Sequence, residues 1–166
     1  MTTTSEQATL QSRLPNPRKL VPEAEEIAGV LFKATGNGSI PQATISLVQL
    51  RAGQIVGNTY LTVLHTGNLR KAGEAETRIT AVASWQDAAC FTPAERVALA
   101  LVEAVPTPNP HGERVSDELY AQATGQYDDK ALATLIVAIG QVGFFIPLAL
   151  IGKPLPGMSP QEQWRD

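Results

Sequence analysis

The sequence is short of several things, and each shortage removes a class of function. One cysteine, Cys90, stands among 166 residues. A single thiol cannot close an intrachain disulfide or build a cysteine-based zinc site, and this usage fits a reducing, cytoplasmic setting. Aromatic residues make up 5% of the chain, so stacking platforms for nucleic acid are scarce. The net charge is -3, with both signs mixed and no basic stripe, which argues against a nucleic-acid partner. His65 and His111 lie far apart, with no carboxylate pair at ligand spacing, so neither a metal nor a cofactor is expected. Strand-type alternation bounded by hairpin turns is missing throughout. The Thr/Ser/Gln-rich stretch from Met1 to Gln11 has no basic start followed by an apolar run, so it does not read as a secretory signal.

What is present is apolar periodicity. Apolar residues are 43% and charged residues 17% of the chain, enough for one packed domain and too little charge for disorder. Helical spacing with caps predicts an all-α bundle of about six helices. One segment starts near Pro22 and stops at Gly36-Asn37-Gly38. The next starts at Pro41 and carries Ile45, Val48, Ala52 and Ile55 on one face. A third runs from Thr59 to Ala72, and a shorter one holds Ile79, Val82 and Ala83. Thr92-Pro93-Ala94-Glu95 is a capping box with proline at the first helical position. Ser116 caps a short helix through Ala123. The last segment begins at Asp128 and is uncharged from Ala131 to Gly152. Its length would span a membrane, which takes about 20 apolar residues. Pro147 should kink or end it early. The preceding segments have polar faces, so the expected reading is a soluble chain, with this helix buried on all sides at a bundle centre or an oligomer interface. Residues 1–14 and 154–166 read as tails flanking a single domain over 15–153.

The most informative stretch runs Leu50-Arg-Ala-Gly-Gln-Ile-Val-Gly-Asn-Thr-Tyr-Leu-Thr-Val-Leu-His-Thr66, followed by Arg70-Lys-Ala-Gly-Glu74. It resembles the AhpD-like, carboxymuconolactone decarboxylase family of alkyl hydroperoxidases. That family's core has an Arg-Ala-Ser-Gln-Ile-Asn-Gly lead-in, a Cys-x-x-Cys, a histidine four residues on, and an Arg-Lys-Ala-Gly-Glu turn. The resemblance covers roughly Pro22 to Ile151. It implies an AhpD-like fold and a homo-oligomer, a trimer or hexamer.

The departures from the pattern bear on chemistry. Asn58 stands at the first cysteine position and Leu61 at the second. Ser46 occupies the place of the proton-relay glutamate, and of the four residues only His65 remains. Peroxide reduction of this type needs a thiolate resolved by a second thiol. Asparagine and leucine carry neither. Over Gly143 to Ala149, where the family is usually polar, the sequence is Gly-Phe-Phe-Ile-Pro-Leu-Ala, so the pocket should be more apolar than is typical.

Several readings stay open. Asn58 is either an N-cap or a ligand contact, and Leu61 is core packing. With Ser46 and Thr62 they form the candidate substrate-binding set around His65, the candidate acid/base. The plainer reading of His65 is a buried imidazole bonded to a backbone carbonyl or a neighbouring subunit. Cys90 is either a small buried hydrophobe or the nucleophile of a one-cysteine peroxidase. His111, Asp128-Asp129 and the exposed helix end Arg70-Lys71-Glu74 need no catalytic explanation. Three functions follow: a non-redox member that binds a small apolar or acidic molecule or simply assembles; a decarboxylase-type enzyme using His65; or a peroxidase using Cys90.

Overall fold

The computed structural model describes residues 10–166, so most of the expected N-terminal tail lies outside the described residues. The described chain is all-helical: α1 Pro17–Leu20, α2 Glu23–Thr35, α3 Gln42–Ile55, α4 Thr59–Lys71, α5 Glu76–Ala81, a 3-10 turn Val82–Ser84, α6 Pro93–Ala104, α7 Asp117–Gln126 and α8 Asp129–Gly152. Seven of these α-helices are segments expected from the sequence, including the short α7 capped by Ser116; the short α1 is the addition. Five helix starts among the described residues are set by side chains that accept otherwise unpaired amide hydrogens. Asn16 accepts from Arg18, Asn58 from Leu61, Ser116 from Leu119 and Asp128 from Ala131. Thr92 and Glu95 close a reciprocal capping box.

The helix buried on every side is α3, not α8. Every residue of α3 from Thr44 to Leu50 is buried. Ile45, Val48 and Ala52 join Val97, Ala98, Leu101 and Val102 of α6 and Leu132, Leu135, Ala138 and Val142 of α8 in one core cluster. Leu47 and Leu50 face the other way, into a second cluster with Leu69, Ile79, Val82, Trp85, Phe91 and Leu99. Each valine, leucine, isoleucine or phenylalanine among them contributes about 1.5–3 kcal/mol when taken out of water.

Of the two places expected for α8, the bundle centre is corrected, whereas the fold of one chain does not touch the oligomer interface. Ala131, Leu135, Ala138, Val142 and Ala149 are buried, while Ile136 and Ile151 stand 59% and 70% exposed. The helix is long and apolar enough to cross a membrane, yet its pattern is that of one face packed on α3 and one face left open. Nor does Pro147 end it: the helix continues to Gly152. Proline removes the bond to the carbonyl four residues back. Here that carbonyl belongs to Gly143, which like Pro147 is exposed, so water can satisfy it.

Residues 154–166, read from sequence as a tail, fold back onto the helices. Leu155 N donates to the Gln163 carbonyl at 2.9 Å and Arg165 N to Ser12 Oγ at 2.8 Å. The Tyr60 hydroxyl donates to Gln163 Oε1 at 2.8 Å. Such long-range anchors leave no local sequence signature.

Candidate functional site

The turn between α3 and α4 builds the site. Gly57 has φ +66°, a left-handed conformation that costs glycine little. Asn58 N returns to the Gly53 carbonyl at 2.9 Å, which lays the start of α4 directly against α3. Contact there is tight: a Cβ on Gly53 would sit 3.0 Å from Leu61 Cβ and 3.2 Å from Thr62 N. Glycine at position 53 thus sets the spacing between the two helices.

Asn58, Leu61, His65 and Leu69 are buried along one side of α4. Asn58 Oδ1 accepts from Leu61 N at 2.8 Å, a cap worth about 1 kcal/mol. Leu61 is 1% exposed and belongs to the interior. Thr62 is half-buried and its hydroxyl donates to the Asn58 carbonyl at 2.8 Å. Ser46 is buried in α3.

His65 differs from the plain expectation. Its imidazole is 7% exposed, and Nδ1 is buried without a hydrogen-bond partner, so the anticipated bond to a carbonyl is not made at that atom. Burial alone lowers its pKa from 6.5 to about 4, because desolvation penalises the charged ring. At neutral pH His65 is an uncharged imidazole.

Cys90 is exposed, which corrects the reading of it as a buried hydrophobe. It lies in the loop before α6, where its carbonyl accepts from Arg78. Among the described residues no group of three or more His, Cys, Asp or Glu is placed to hold a metal ion. Glu103, which sequence reasoning passed over, gathers Arg51, Trp85 Nε1 and Gln86 Nε2. An acidic residue in the last turn of a helix opposes the helix dipole, and that was the available signal.

The pattern of the carboxymuconolactone decarboxylase family matches residues 24–104. A Bacillus subtilis protein, the uncharacterized YdfG, is 33% identical over 124 residues, covering 75% of this chain and 83% of that protein. The chain belongs to the carboxymuconolactone decarboxylase family. Solved structures agree on the fold. A protein of unknown function from Agrobacterium tumefaciens, named for AhpD-type antioxidant defence, superposes with a TM-score of 0.79 at 23% identity, over 90% of this chain and all of that one. The debrominase Bmp8 superposes with a TM-score of 0.75 at 19% identity, over 89% of this chain and 80% of its own. A cysteine-to-alanine variant of Bmp8 in complex with 2,3,4-tribromopyrrole gives 0.74 at 20% identity, with the same coverage of both chains. This carboxymuconolactone decarboxylase family member thus carries the AhpD-like helical fold, with Asn58, Leu61 and His65 aligned on α4.

Proposed function

We propose that this family member has lost the dithiol peroxidase centre and acts without thiol redox chemistry, as a binder of a small apolar or acidic molecule. One observation carries the reading: the two α4 positions at which the family sequence pattern has its cysteines are committed to structure. Asn58 caps the helix through Oδ1, and Leu61 is core. Neither side chain can form a sulfenate or a disulfide. The one thiol in the chain, Cys90, is exposed in a different loop. That the Bmp8 variant holds a small halogenated pyrrole on the same fold supports small-molecule binding, though not its identity.

The test is hydroperoxide consumption with dithiothreitol as reductant. The expected result is no turnover above the buffer rate, unchanged in Cys90→Ser. Catalytic turnover abolished by Cys90→Ser would establish the one-cysteine peroxidase instead. A second reading rests on the unpartnered, neutral imidazole of His65: loss of carbon dioxide from a carboxylated lactone leaves its electron pair on carbon as a dienolate, and a buried imidazole N–H can donate the proton that quenches it and be reprotonated from solvent. Carbon dioxide release from such a lactone, lost in His65→Asn, would move the conclusion to that reading.

The proposal includes self-association as a homo-oligomer. Val30 and Phe32 of α2 stand 67% and 57% exposed, Phe32 meets Phe145 of α8, and Ile136 and Ile151 of α8 are open as well. A two-helix apolar face of this kind is unusual for a monomer. Sedimentation velocity is expected to give a mass above 17.7 kDa; a monomer at every concentration would remove this part.

A further inference from the structure

The folded-back segment 154–166 encloses space. Between it, α1, Tyr60 and the C-terminal half of α8 lies a cavity of about 40 Å³, whose apolar walls are Phe144, Phe145 and Leu148. Across Arg18, Gln163 and Trp164, which border both spaces, lies a wider recess of about 300 Å³. Its walls are polar, with Lys19 and Arg165 adding positive charge against Glu25 and Asp166. Trp164 is seated on Gly152 so closely that a Cβ there would lie 2.7 Å from its ring. None of the residues bordering either space is Ser46, Asn58, Leu61, Thr62 or His65.

Arg18 stands at the boundary with spare capacity. Among the described residues its guanidinium meets only Glu25, at 3.7 Å, with side chains 37% and 67% exposed. That is beyond hydrogen-bond reach, and such an exposed pair is worth little. Gln163 is held by Tyr60 through its oxygen, and among the described residues no acceptor receives its amide nitrogen. An unspent guanidinium and an amide donor at the mouth of an aromatic-walled cavity define an amphipathic anion site.

We propose that this cavity takes the hydrocarbon end of a small monocarboxylate, whose carboxylate is held by Arg18 at the border of the polar recess. The space amounts to roughly three waters, so the body that fits without moving Trp164 has about three carbons. A neutral apolar molecule would leave Arg18 unused. An inorganic dianion would meet three apolar walls and gain nothing from them. The site is separate from His65 and does not rest on the reading of α4.

Isobutyrate and its neutral analogue isobutyramide are the probes, with binding followed by calorimetry and tryptophan fluorescence. Isobutyrate is expected to bind saturably at about millimolar concentration, and isobutyramide about tenfold more weakly or less, for want of the charge-assisted contact. Arg18→Gln should lose the same factor without a change in thermal midpoint. The fluorescence change should vanish in Trp164→Phe while the calorimetric signal persists, because Trp85 is buried in the other core cluster. Binding should survive His65→Asn, which separates this site from α4. Equal affinity for acid and amide, full affinity in Arg18→Gln, or no saturable binding of isobutyrate would each overturn the proposal.

Discussion

Acidification from pH 7 to pH 4 is expected to remove about 3 kcal/mol of folding stability through one side chain, His65. The imidazole is 7% exposed, and burial moves its pKa from 6.5 to about 4. Between those values the unfolded chain binds a proton that the folded chain refuses, so stability falls as pH falls. The contribution is whole above pH 6.5, declines through the window, and is flat below about 4. A displacement of about 2.5 units at about 1.4 kcal/mol each sets the size. The measurement is therefore a comparison with a variant that lacks the imidazole. Denaturant midpoints of the natural chain and of His65→Gln, taken from pH 7.5 to 4.5, should converge as the pH drops. Parallel curves would show that the imidazole takes its proton without opening the fold. The same burial explains why His65 cannot serve as a cation toward an acidic ligand at neutral pH, so that an anion site has to draw its charge from arginine or lysine.

Much of the fold was legible because its helix starts are local chemistry. Asn58, Thr92 with Glu95, Ser116 and Asp128 each announce a cap within four residues, and each makes it. What local pattern could not show was which helix lies at the centre. Thr44, Ser46 and Gln49 gave α3 a polar cast, yet all three are buried; Gln49 is satisfied by the Ala138 carbonyl and Gln141 Oε1 on α8. The uncharged run of α8 looked central but leaves one face open, because an absence of charge does not say how many neighbours a helix has. At the candidate site, the capping role of Asn58 and the burial of Leu61 followed from residue type. The orphaned Nδ1 of His65 did not, since an unmade bond has no sequence signature. The cavity by Arg18 was equally hidden, being closed by contacts between Ser12, Tyr60 and residues 163–165 that only the folded chain brings together.

Glu103→Ala should cost about 2–3 kcal/mol, a loss out of proportion to a half-exposed carboxylate. Glu103 Oε1 accepts Arg51 Nε at 2.6 Å and Trp85 Nε1 at 2.9 Å, and Oε2 accepts Gln86 Nε2 at 3.0 Å. The two charged side chains are 19% and 23% exposed, so solvent screens the pair only in part, and the figure is set below that for a fully buried ion pair. Without the carboxylate, Arg51 keeps only Gln54 Oε1 and the Ala83 carbonyl, both at 3.4 Å. The indole N–H of Trp85, a residue 7% exposed, is left without its acceptor. Glu103→Gln retains an acceptor and the volume, so it should cost about half as much. A cycle with Arg51→Ala isolates the pair: the double variant should be about 1–2 kcal/mol more stable than the sum of the singles predicts. Strict additivity would mean that the two charges meet without consequence. A positive coupling would identify Glu103 as the clamp that ties α6 and the turn before Trp85 to α3, the helix against which Asn58, Leu61 and His65 are set.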